Sequence, residues 1–256
     1  MIFDTHAHYD DEAFDEDRED MLSSLKSNNI SYVTNIGASI ASSKMSLELA
    51  KKYNFIFVAI GVHPSETDEL NEDKIQWLKE NATHQKVVAI GEIGLDYYWN
   101  EPSPDIQKKW FERQLDLARE VNLPVVIHSR DAAKDTMDIM KYKKAEEIGG
   151  VIHCYSYHKE QAKEYLDMGF YFGIGGVLTF NNAKKLREVV EYLPMDKIVL
   201  ETDAPYLSPV PNRGKRNSSL NLPYVVKAIA DIKGVSEKEV MDITRVNAKA
   251  LYRLEV

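Results

Sequence analysis

The chain lacks several features that would point to secretion, to a membrane or to a nucleic-acid coat. Its single cysteine, Cys154, excludes an internal disulfide and is typical of a protein from a reducing cytoplasm. No apolar run is long enough to span a bilayer, and the N-terminus has no signal-peptide pattern of a basic region followed by an apolar one. The formal net charge of −9 argues against a general coat for nucleic acid, but it leaves room for a local basic patch. We therefore expect a cytoplasmic protein with no membrane partner.

The composition and the spacing of apolar residues predict a folded domain in which strands alternate with helices. Apolar residues make up 44% of the 256 residues and charged residues 29%, so a packed core is expected rather than disorder. Amphipathic stretches separate short apolar runs, and in one of these stretches Phe111, Leu115 and Ala118 fall on a single helix face. The apolar runs predict eight strands, at residues 2–6, 32–37, 55–61, 87–94, 124–129, 149–155, 169–176 and 197–203.

Eight strands that alternate with helices predict a single-domain TIM-like (β/α)8 barrel over residues 1–256. Parallel strands need long crossover connections, and helices between the strands supply them. No internal segment rich in glycine, proline or serine divides the chain, so one domain is favoured over two. An open doubly wound sheet is the alternative, because a strand count taken from one sequence is easily wrong by one.

Histidines are concentrated at the ends of the predicted strands, where a barrel of this type carries its active face. Residues two apart on a strand share a face, so His6 and His8 in IFDTHAHYD could bind one metal ion together, or could be two solvated side chains. A lone histidine at a strand end is more often a structural residue, but five together are poorly explained in that way. The five are His6, His8, His63, His128 and His153, out of seven in the chain.

The strand ends also carry acidic residues, which complete a set of metal ligands. Four histidines, one glutamate and one aspartate can surround two divalent ions, with Glu92 bridging them at the roughly 3.5–4 Å spacing that two-metal hydrolysis uses. We therefore predict a dinuclear site at the carboxyl ends of the strands. Glu92, Asp96 and Asp203 are the acidic residues at these strand ends, and His6 and His8 are interpreted as the first two ligands of the site. Imidazoles suit zinc, manganese or iron better than magnesium, which prefers oxygen ligands.

Seven motifs, in order along the chain, resemble those of the TatD family of metal-dependent deoxyribonucleases, within the amidohydrolase-like metal-dependent hydrolases. They cover essentially the full length, and they are DTHAHYD, GVHP, IGEIGLDYYW, IHSRDA, IHCYS, ETDAPYLSPVP and RGKRN. The resemblance implies a TIM-like barrel that hydrolyses phosphodiester bonds in DNA, and it implies that magnesium or manganese supports activity. The expected cofactors are therefore two divalent metal ions, which could be zinc, manganese or magnesium. The implied ligand sets are His6, His8, Glu92 and Asp203 for one ion, and Glu92, His128 and His153 for the other.

The chain departs from the family's motifs at a few positions, none of which is a predicted metal ligand. Asn212 stands where the family commonly has a histidine, and NSS at 217–219 stands where it has NEP. Tyr157, after Ser156, replaces the small residue that usually follows the serine in IHCFSG. These positions belong to the predicted substrate rim, so the departures affect the expected substrate preference and leave the predicted metal ligands unchanged.

These observations predict a monomeric, metal-dependent deoxyribonuclease that acts on single-stranded DNA or frayed strand ends. Glu92 and Asp203 are the predicted catalytic residues. Glu92 bridges the ions that activate a water molecule, while Asp203 either orients that water and accepts its proton or is only a ligand. The alternative is a hydrolase of amide, ester or lactone bonds in small molecules or aminoacyl-tRNA, since fold and metals do not determine the substrate. A non-catalytic binding barrel would not need the full ligand set.

Further residues near the strand ends are predicted to contact the substrate. His63 is expected to contact a phosphate or to support the metal ligands from outside, with a structural role as the alternative. Arg130 could bind phosphate or pair with Asp131. The loop PNRGKRN follows strand 8, where barrel loops commonly bind phosphate, but its charges could instead balance nearby acidic residues. The basic residues of this loop are Arg213, Lys215 and Arg216.

Three other expectations concern the surroundings of the site. The aromatic segment DYYWN, residues 96–100, is either a base-stacking surface or packing. Cys154 is expected to be a small core residue that faces away from the metals, because neighbours on a strand face opposite sides. Glu201, two residues before Asp203, is expected to make a structural hydrogen bond.

Overall fold

Eight strands pair in parallel in chain order and form one sheet. The computed structural model describes residues 1–99 and 101–255. The strands are β1 (Ile2–Ala7), β2 (Ile30–Ile36), β3 (Ile56–Ile60), β4 (Val87–Asp96), β5 (Val125–Arg130), β6 (Gly150–Ile152), β7 (Tyr171–Ile174) and β8 (Ile198–Leu200). Each predicted strand overlaps one of these, so the predicted strand order is confirmed.

The sheet closes on itself because β1 also bonds to β8 and to the segment that continues it. Thr5 Oγ1 donates a hydrogen bond to the carbonyl of Leu200 over 2.9 Å. The backbone N–H of Asp203 donates to the carbonyl of His6 over 2.9 Å, and a parallel bridge extends the contact beyond both strands. This closure confirms the predicted (β/α)8 barrel and excludes the open doubly wound sheet.

Helices surround the barrel and cover its strands with their apolar faces. In the described residues they are α1 (Arg18–Leu25), α2 (Ile40–Lys52), α3 (Glu72–Asn81), α4 (Pro104–Val121), α5 (Ala133–Tyr142), α6 (Lys159–Asp167), α7 (Lys184–Tyr192), α8 (Leu222–Lys233) and α9 (Glu237–Leu251). Phe111, Leu115 and Ala118 of α4 are fully buried, as their helical spacing predicts. In the described part of the chain no helix combines the length and apolar character needed to cross a membrane.

Two strands end earlier than their apolar runs predict. The sequence places residues up to 155 in the sixth strand and up to 203 in the eighth, but the ladders end at Ile152 and Leu200. The backbone then enters the left-handed region, at Cys154 (φ 45°) and at Asp203 (φ 58°). Aspartate tolerates this conformation better than most residues. The chain therefore leaves the sheet just before two of the predicted site positions.

Two buried glutamines of α4 hold the chain at the ends of β3 and β4. Gln114 accepts a hydrogen bond from the backbone N–H of Val62 over 2.9 Å and donates one to its carbonyl over 3.0 Å. Gln107 makes the same pair of bonds with Asp96, over 2.8 Å and 2.9 Å. Both glutamines are fully buried. The outer helix thus satisfies backbone groups at the face where the strands end.

Replacing Gln114 with leucine keeps a side chain of similar size at this buried position but leaves both backbone groups of Val62 without partners. We expect Gln114→Leu to lower the free energy of unfolding by about 2 kcal/mol or more, because each orphaned buried group costs about 1–3 kcal/mol. Urea denaturation measures the change. Gln76→Leu, on the exposed side of α3, is the matched control and should stay within about 0.5 kcal/mol. Equal effects of the two substitutions would contradict this role of α4.

Candidate metal centre

The six predicted ligands lie together at the carboxyl ends of the strands. His6 lies on β1 with His8 directly after it, Glu92 lies on β4 and His128 on β5, while His153 and Asp203 follow β6 and β8. Closure of the barrel brings the first strand beside the last, so residues far apart in sequence meet. The rings of His6 and His153, for example, stack with their centroids 3.5 Å apart.

His6, His8 and Asp203 form a first group of ligand atoms, together with one oxygen of Glu92. Nε2 of His6 lies 3.1 Å from Nε2 of His8 and 3.6 Å from Oδ1 of Asp203, which is 3.4 Å from Nε2 of His8. Oε2 of Glu92 lies 3.4 Å and 3.8 Å from the two imidazole nitrogens. Tetrahedral ligands at about 2.0–2.1 Å from zinc are about 3.4 Å from one another. The four atoms are therefore spaced as the ligands of one ion.

The other oxygen of Glu92 faces a second group of imidazoles. Oε1 lies 2.7 Å from Nδ1 of His128 and 3.7 Å from Nε2 of His153. Nε2 of His63 lies 4.0 Å from the same oxygen. Each oxygen of Glu92 thus faces a different set of ring nitrogens, which is how a carboxylate that bridges two ions is placed.

The ring nitrogens that point away from the centre determine the histidine tautomers. Nδ1 of His8 lies 2.9 Å from the carbonyl oxygen of Ile36. A carbonyl can only accept, so this nitrogen carries the proton. Nε2 of His128 lies 3.1 Å from Oδ2 of Asp96 and is held in the same way. A ring that carries only this outward proton turns an unprotonated nitrogen towards Glu92 or Asp203, as metal-ligating histidines do when a cation is bound.

A buried carboxylate also lies beside the outward nitrogen of His153. Oε1 of Glu201 is 3.2 Å from Nδ1 of His153, although outside hydrogen-bond angles. The same oxygen accepts a hydrogen bond from the backbone N–H of Cys154 over 2.6 Å. Glu201 thus makes the structural hydrogen bond that the sequence suggests, and it adds negative charge behind the second group of imidazoles.

The two central carboxylates stay ionised although they are enclosed. Burial opposes the charge of Glu92, yet His153 and His6 hold its pKa well below the usual range. Burial likewise opposes the charge of Asp203, and the hydrogen bond from His8 with the nearby His153 lowers its pKa. The centre therefore keeps two ionised carboxylates among its imidazoles.

The histidines respond to these carboxylates in opposite ways. Burial opposes the charge of His8, but Asp203 raises its pKa to about 9. Burial also opposes the charge of His153, and Glu201 raises its pKa to about 10. Burial dominates at His63 and lowers its pKa to about 3. The first two positions thus favour positive charge, whereas His63 stays neutral.

The residues present fit divalent metal ions. Within the described residues, Glu92, Asp203 and Glu201 have ion pairs only with histidines, so their counter-charge has to come from imidazole protons or a bound cation. Nδ1 of His6 is buried without a hydrogen-bond partner among these residues. Imidazole nitrogens combined with carboxylate oxygens are the donors that zinc and manganese accept.

A buried aspartate ties β1 to the loop after β8. The carboxylate of Asp4 accepts hydrogen bonds from the hydroxyls of Thr202 (2.8 Å) and Ser219 (2.6 Å) and from the backbone N–H of His6 (3.3 Å). Burial raises the pKa of Asp4 to about 7, against these hydrogen bonds, which lower it. The Ser219 hydroxyl is also 2.8 Å from the hydroxyl of Tyr9. A residue that departs from the family motif is thus part of the support for His6.

The other departures from the motifs also make internal hydrogen bonds. The Tyr157 hydroxyl lies 2.9 Å from the Ser129 hydroxyl and accepts a bond from the backbone N–H of Ala132 over 3.2 Å. The Asn212 amide donates to the side chain of Asn221 over 2.8 Å. These side chains therefore shape the rim through contacts within the protein.

A cavity of about 300 Å³ opens beside the centre and contains Cys154 in its wall. His128, His153 and Asp203 also line it, as does Arg130. The expectation that Cys154 faces away from the ligands is therefore wrong. Its left-handed backbone ends the alternation of sides on which that expectation depends.

Aromatic residues stand beside this cavity without being packed in the core. The guanidinium of Arg130 lies 3.8 Å from the ring centroid of Tyr98. Tyr98 is 55% exposed and Trp99 66% exposed. Among the described residues, Arg130 forms no ion pair with Asp131, the partner that the sequence offers as the alternative to phosphate. The last residue of the segment DYYWN, Asn100, lies outside the described residues.

The three basic residues of the loop PNRGKRN have different surroundings. Nη1 and Nη2 of Arg216 lie 2.8 Å and 2.5 Å from the two carboxylate oxygens of Asp17. Arg213 lies over the ring of Phe180, 4.3 Å from its centroid. Lys215 is exposed, and neither it nor Arg213 forms an ion pair with another described residue. The charge of Arg216 is therefore paired with that of Asp17, whereas the charges of Arg213 and Lys215 have no such partner among the described residues.

Sequence reasoning assigned no role to Asp4 or Asp96, although both support the predicted ligands. Asp4 lies inside the first apolar run, two residues before His6, and Asp96 lies two residues past the fourth run, four after Glu92. Charged residues are rarely enclosed unless they are paired. An acidic residue in or just past an apolar run that holds a predicted ligand is the signal that could have identified them.

The chain resembles metal-dependent hydrolases over nearly its whole length. Residues 3–253 match the family model described as TatD related DNase. The uncharacterized metal-dependent hydrolase YabD of Bacillus subtilis is 43% identical over 99% of this chain and 100% of its own. The 3'-5' ssDNA/RNA exonuclease TatD of a Rahnella species is 34% identical over 94% of each chain. The crystal structure of the TatD homologue YjjV of Escherichia coli matches with a TM-score of 0.93 at 27% identity, over 99% of this chain and 98% of that one.

The Asp4 hydrogen bonds predict a difference between two neighbouring serines. Ser219→Ala removes a donor from a buried carboxylate and should lower the free energy of unfolding by about 1–3 kcal/mol. Ser218→Ala is the matched control, because Ser218 is also buried but its hydroxyl has no hydrogen bond to another described residue. Urea denaturation of both variants measures the difference. If Ser218→Ala lost as much unfolding free energy as Ser219→Ala, the hydrogen bond to Asp4 would not explain the loss.

Proposed function

We propose that this chain, which belongs to the TatD-related DNase family and is a metal-dependent hydrolase, cleaves phosphodiester bonds in DNA at strand ends. The name of the Rahnella relative, an exonuclease of single-stranded DNA and RNA, supports a nucleic-acid substrate. The observation that carries the proposal is the position of Glu92, whose two oxygens face separate groups of imidazoles. This is the arrangement that two-metal phosphodiester hydrolysis requires.

Two divalent ions, of zinc, manganese or magnesium, are proposed to bind on either side of Glu92. His6, His8 and Asp203 would hold one ion with Oε2 of Glu92, and their spacing supports this assignment. His128 and His153 would hold the other with Oε1 of Glu92. When bound, such ions acidify a water molecule and polarise a phosphoryl oxygen.

The residues of the chain would then hold the substrate and accept the proton. The side chain of Asp203 is 18% exposed and lines the cavity, whereas that of Glu92 is 4% exposed. Asp203 is therefore the carboxylate that can take a proton from a water molecule, and Glu92 keeps the two groups of imidazoles in place. Arg130 would contact the phosphate through its fork of donors, and Tyr98 and Trp99 would stack on bases.

The loop PNRGKRN would hold phosphates further along the strand. Arg213 and Lys215 are exposed and supply positive charge after β8, on the face where the ligands lie. Arg216 would instead anchor the loop through Asp17. Two of the basic residues would thus contact DNA, and the third would position the loop.

Removing the charge of Glu92 should abolish the metal-dependent reaction. Glu92→Gln keeps the size of the side chain, but an amide offers one oxygen instead of two and carries no charge. We expect hydrolysis of labelled single-stranded DNA with Mg²⁺ or Mn²⁺ to fall by more than about 100-fold, the upper end of the cost of losing an outer partner of a metal site. Glu188→Gln, on the exposed side of α7, should change nothing.

Metal analysis of the same proteins separates the two ions. His128→Ala should lose one ion and retain the one held near His6 and His8, whereas Glu92→Gln should weaken the binding of both. Full activity of Glu92→Gln after treatment with EDTA would refute the two-metal proposal. Unchanged metal content and rate in His128→Ala would remove that residue from the ligand set.

The division of the basic loop predicts unequal effects on DNA binding. Neutralising both Arg213 and Lys215 to glutamine should lower the log–log salt slope for single-stranded DNA by about 1.4, at about 0.7 for each phosphate contact. Arg216→Gln should lower it by much less, because that charge is already paired with Asp17. Cleavage of a small phosphodiester that reaches only the metals should change little. Equal losses on both substrates would mean that the loop supports the metal site, and no loss on DNA would favour a small-molecule hydrolase.

A further inference from the structure

The outward ring nitrogen of His63 accepts a hydrogen bond, whereas the outward ring nitrogens of the ligand candidates His8 and His128 donate one. Its Nδ1 accepts a bond from the backbone N–H of Ser65 over 3.1 Å and lies 2.8 Å from the Ser65 hydroxyl. His8 and His128 instead turn their outward nitrogens to oxygen acceptors. The outward nitrogen of His63 therefore offers a lone pair, whereas theirs carry protons.

The bond from Ser65 leaves a single tautomer for His63. A backbone N–H can only donate, so Nδ1 must be unprotonated and the ring proton lies on Nε2. An imidazolium would have protons on both nitrogens and would leave the Ser65 N–H without its acceptor. This contact is part of the fold, because His63 caps the 3-10 helix Pro64–Glu69. The first N–H groups of a helix have no partner inside it.

The protonated nitrogen of His63 faces the centre and is not satisfied there by the protein. Nε2 lies 4.0 Å from Oε1 of Glu92, which is too far for a hydrogen bond. It has no other hydrogen-bond partner in the part of the chain that the structure describes. The ring stands edge-on to that of His128, with centroids 4.4 Å apart. An N–H donor is thus held beside the candidate ligands with its hydrogen-bonding capacity unused.

We propose that His63 is a neutral hydrogen-bond donor to the substrate and not a ligand of either ion. It would donate Nε2–H to a non-bridging phosphate oxygen, an assignment of the acceptor that rests on the proposed function. The proton stays on the ring throughout, so no bond to it forms or breaks. A donor held in place before the reaction stabilises negative charge as it develops on the phosphoryl oxygens.

Two substitutions separate the donor from the helix cap. In His63→Asn the amide oxygen can still accept the bond from the Ser65 N–H, but no atom reaches the place of Nε2. Glutamine is one methylene longer, so in His63→Gln the amide nitrogen can occupy the place of Nε2 and donate. The first variant keeps the cap and loses the donor, and the second restores the donor.

Activity, metal content and Tm are measured on the same preparations. We expect His63→Asn to lower kcat on single-stranded DNA by about 100-fold, the lower end of the loss of one preorganised donor, with the metal-to-protein ratio unchanged. His63→Gln should recover about tenfold of this loss or more. A reduced metal content in His63→Asn, like that expected of His128→Ala, would make His63 a ligand. An unchanged kcat would leave it only the role of a cap, and either result would overturn the proposal.

The tautomer can be tested without any substrate. Nitrogen NMR of the zinc-loaded full chain, labelled in histidine, should show His63 protonated at Nε2 and His8 protonated at Nδ1 near neutral pH. A His63 proton on Nδ1, or on both nitrogens, would overturn the proposal whatever the substrate is. An unmodified protein that shows the expected tautomer but cleaves no DNA would instead refute the proposed function, and with it the phosphate as the acceptor.

Discussion

Enclosed negative charge is the constraint on which the arrangement of this barrel depends. Glu92 is almost inaccessible, and imidazoles rather than lysine or arginine surround it. A carboxylate in such a place is tolerable only beside positive charge. Here that charge has to come from protonated rings or from bound cations. Several elements at this face contribute a nitrogen directed at Glu92 or an oxygen that orients such a nitrogen.

The orienting oxygens come from neighbouring parts of the barrel. The carbonyl of Ile36 on β2 holds His8, which follows β1, and Asp96 at the end of β4 holds His128 of β5. Because each pair spans adjacent strands, the register of the sheet decides which ring nitrogen is protonated. A slip of one residue would turn these side chains to the opposite face. Strand pairing and the protonation pattern of the centre are therefore one property of the fold.

The strands and the metal-ligating candidates could be predicted because both depend on local pattern, namely apolar runs and the polar residues that end them. The points where the chain leaves the sheet could not. At Cys154 and Asp203 the backbone is left-handed, and both N–H groups bond to residues far along the chain, so strand alternation put Cys154 on the wrong side. The partner of Arg216 was equally inaccessible to sequence reasoning, since Asp17 lies 199 positions away. The tautomer of His63 likewise depends on one hydrogen bond that residue type alone does not reveal.

The contact that closes the barrel also determines when each half of the centre can exist. The hydrogen bond between Thr5 and Leu200 joins positions 195 apart, with His6 and His8 on one side of this contact and Asp203 on the other. During synthesis on the ribosome, His6 and His8 emerge early, whereas Asp203 emerges only after most of the chain. Glu92, His128 and His153 lie on or directly after the consecutive strands β4 to β6 and need no such wait. Half of the centre can thus assemble on a growing chain, while the other half comes into being only with the finished barrel.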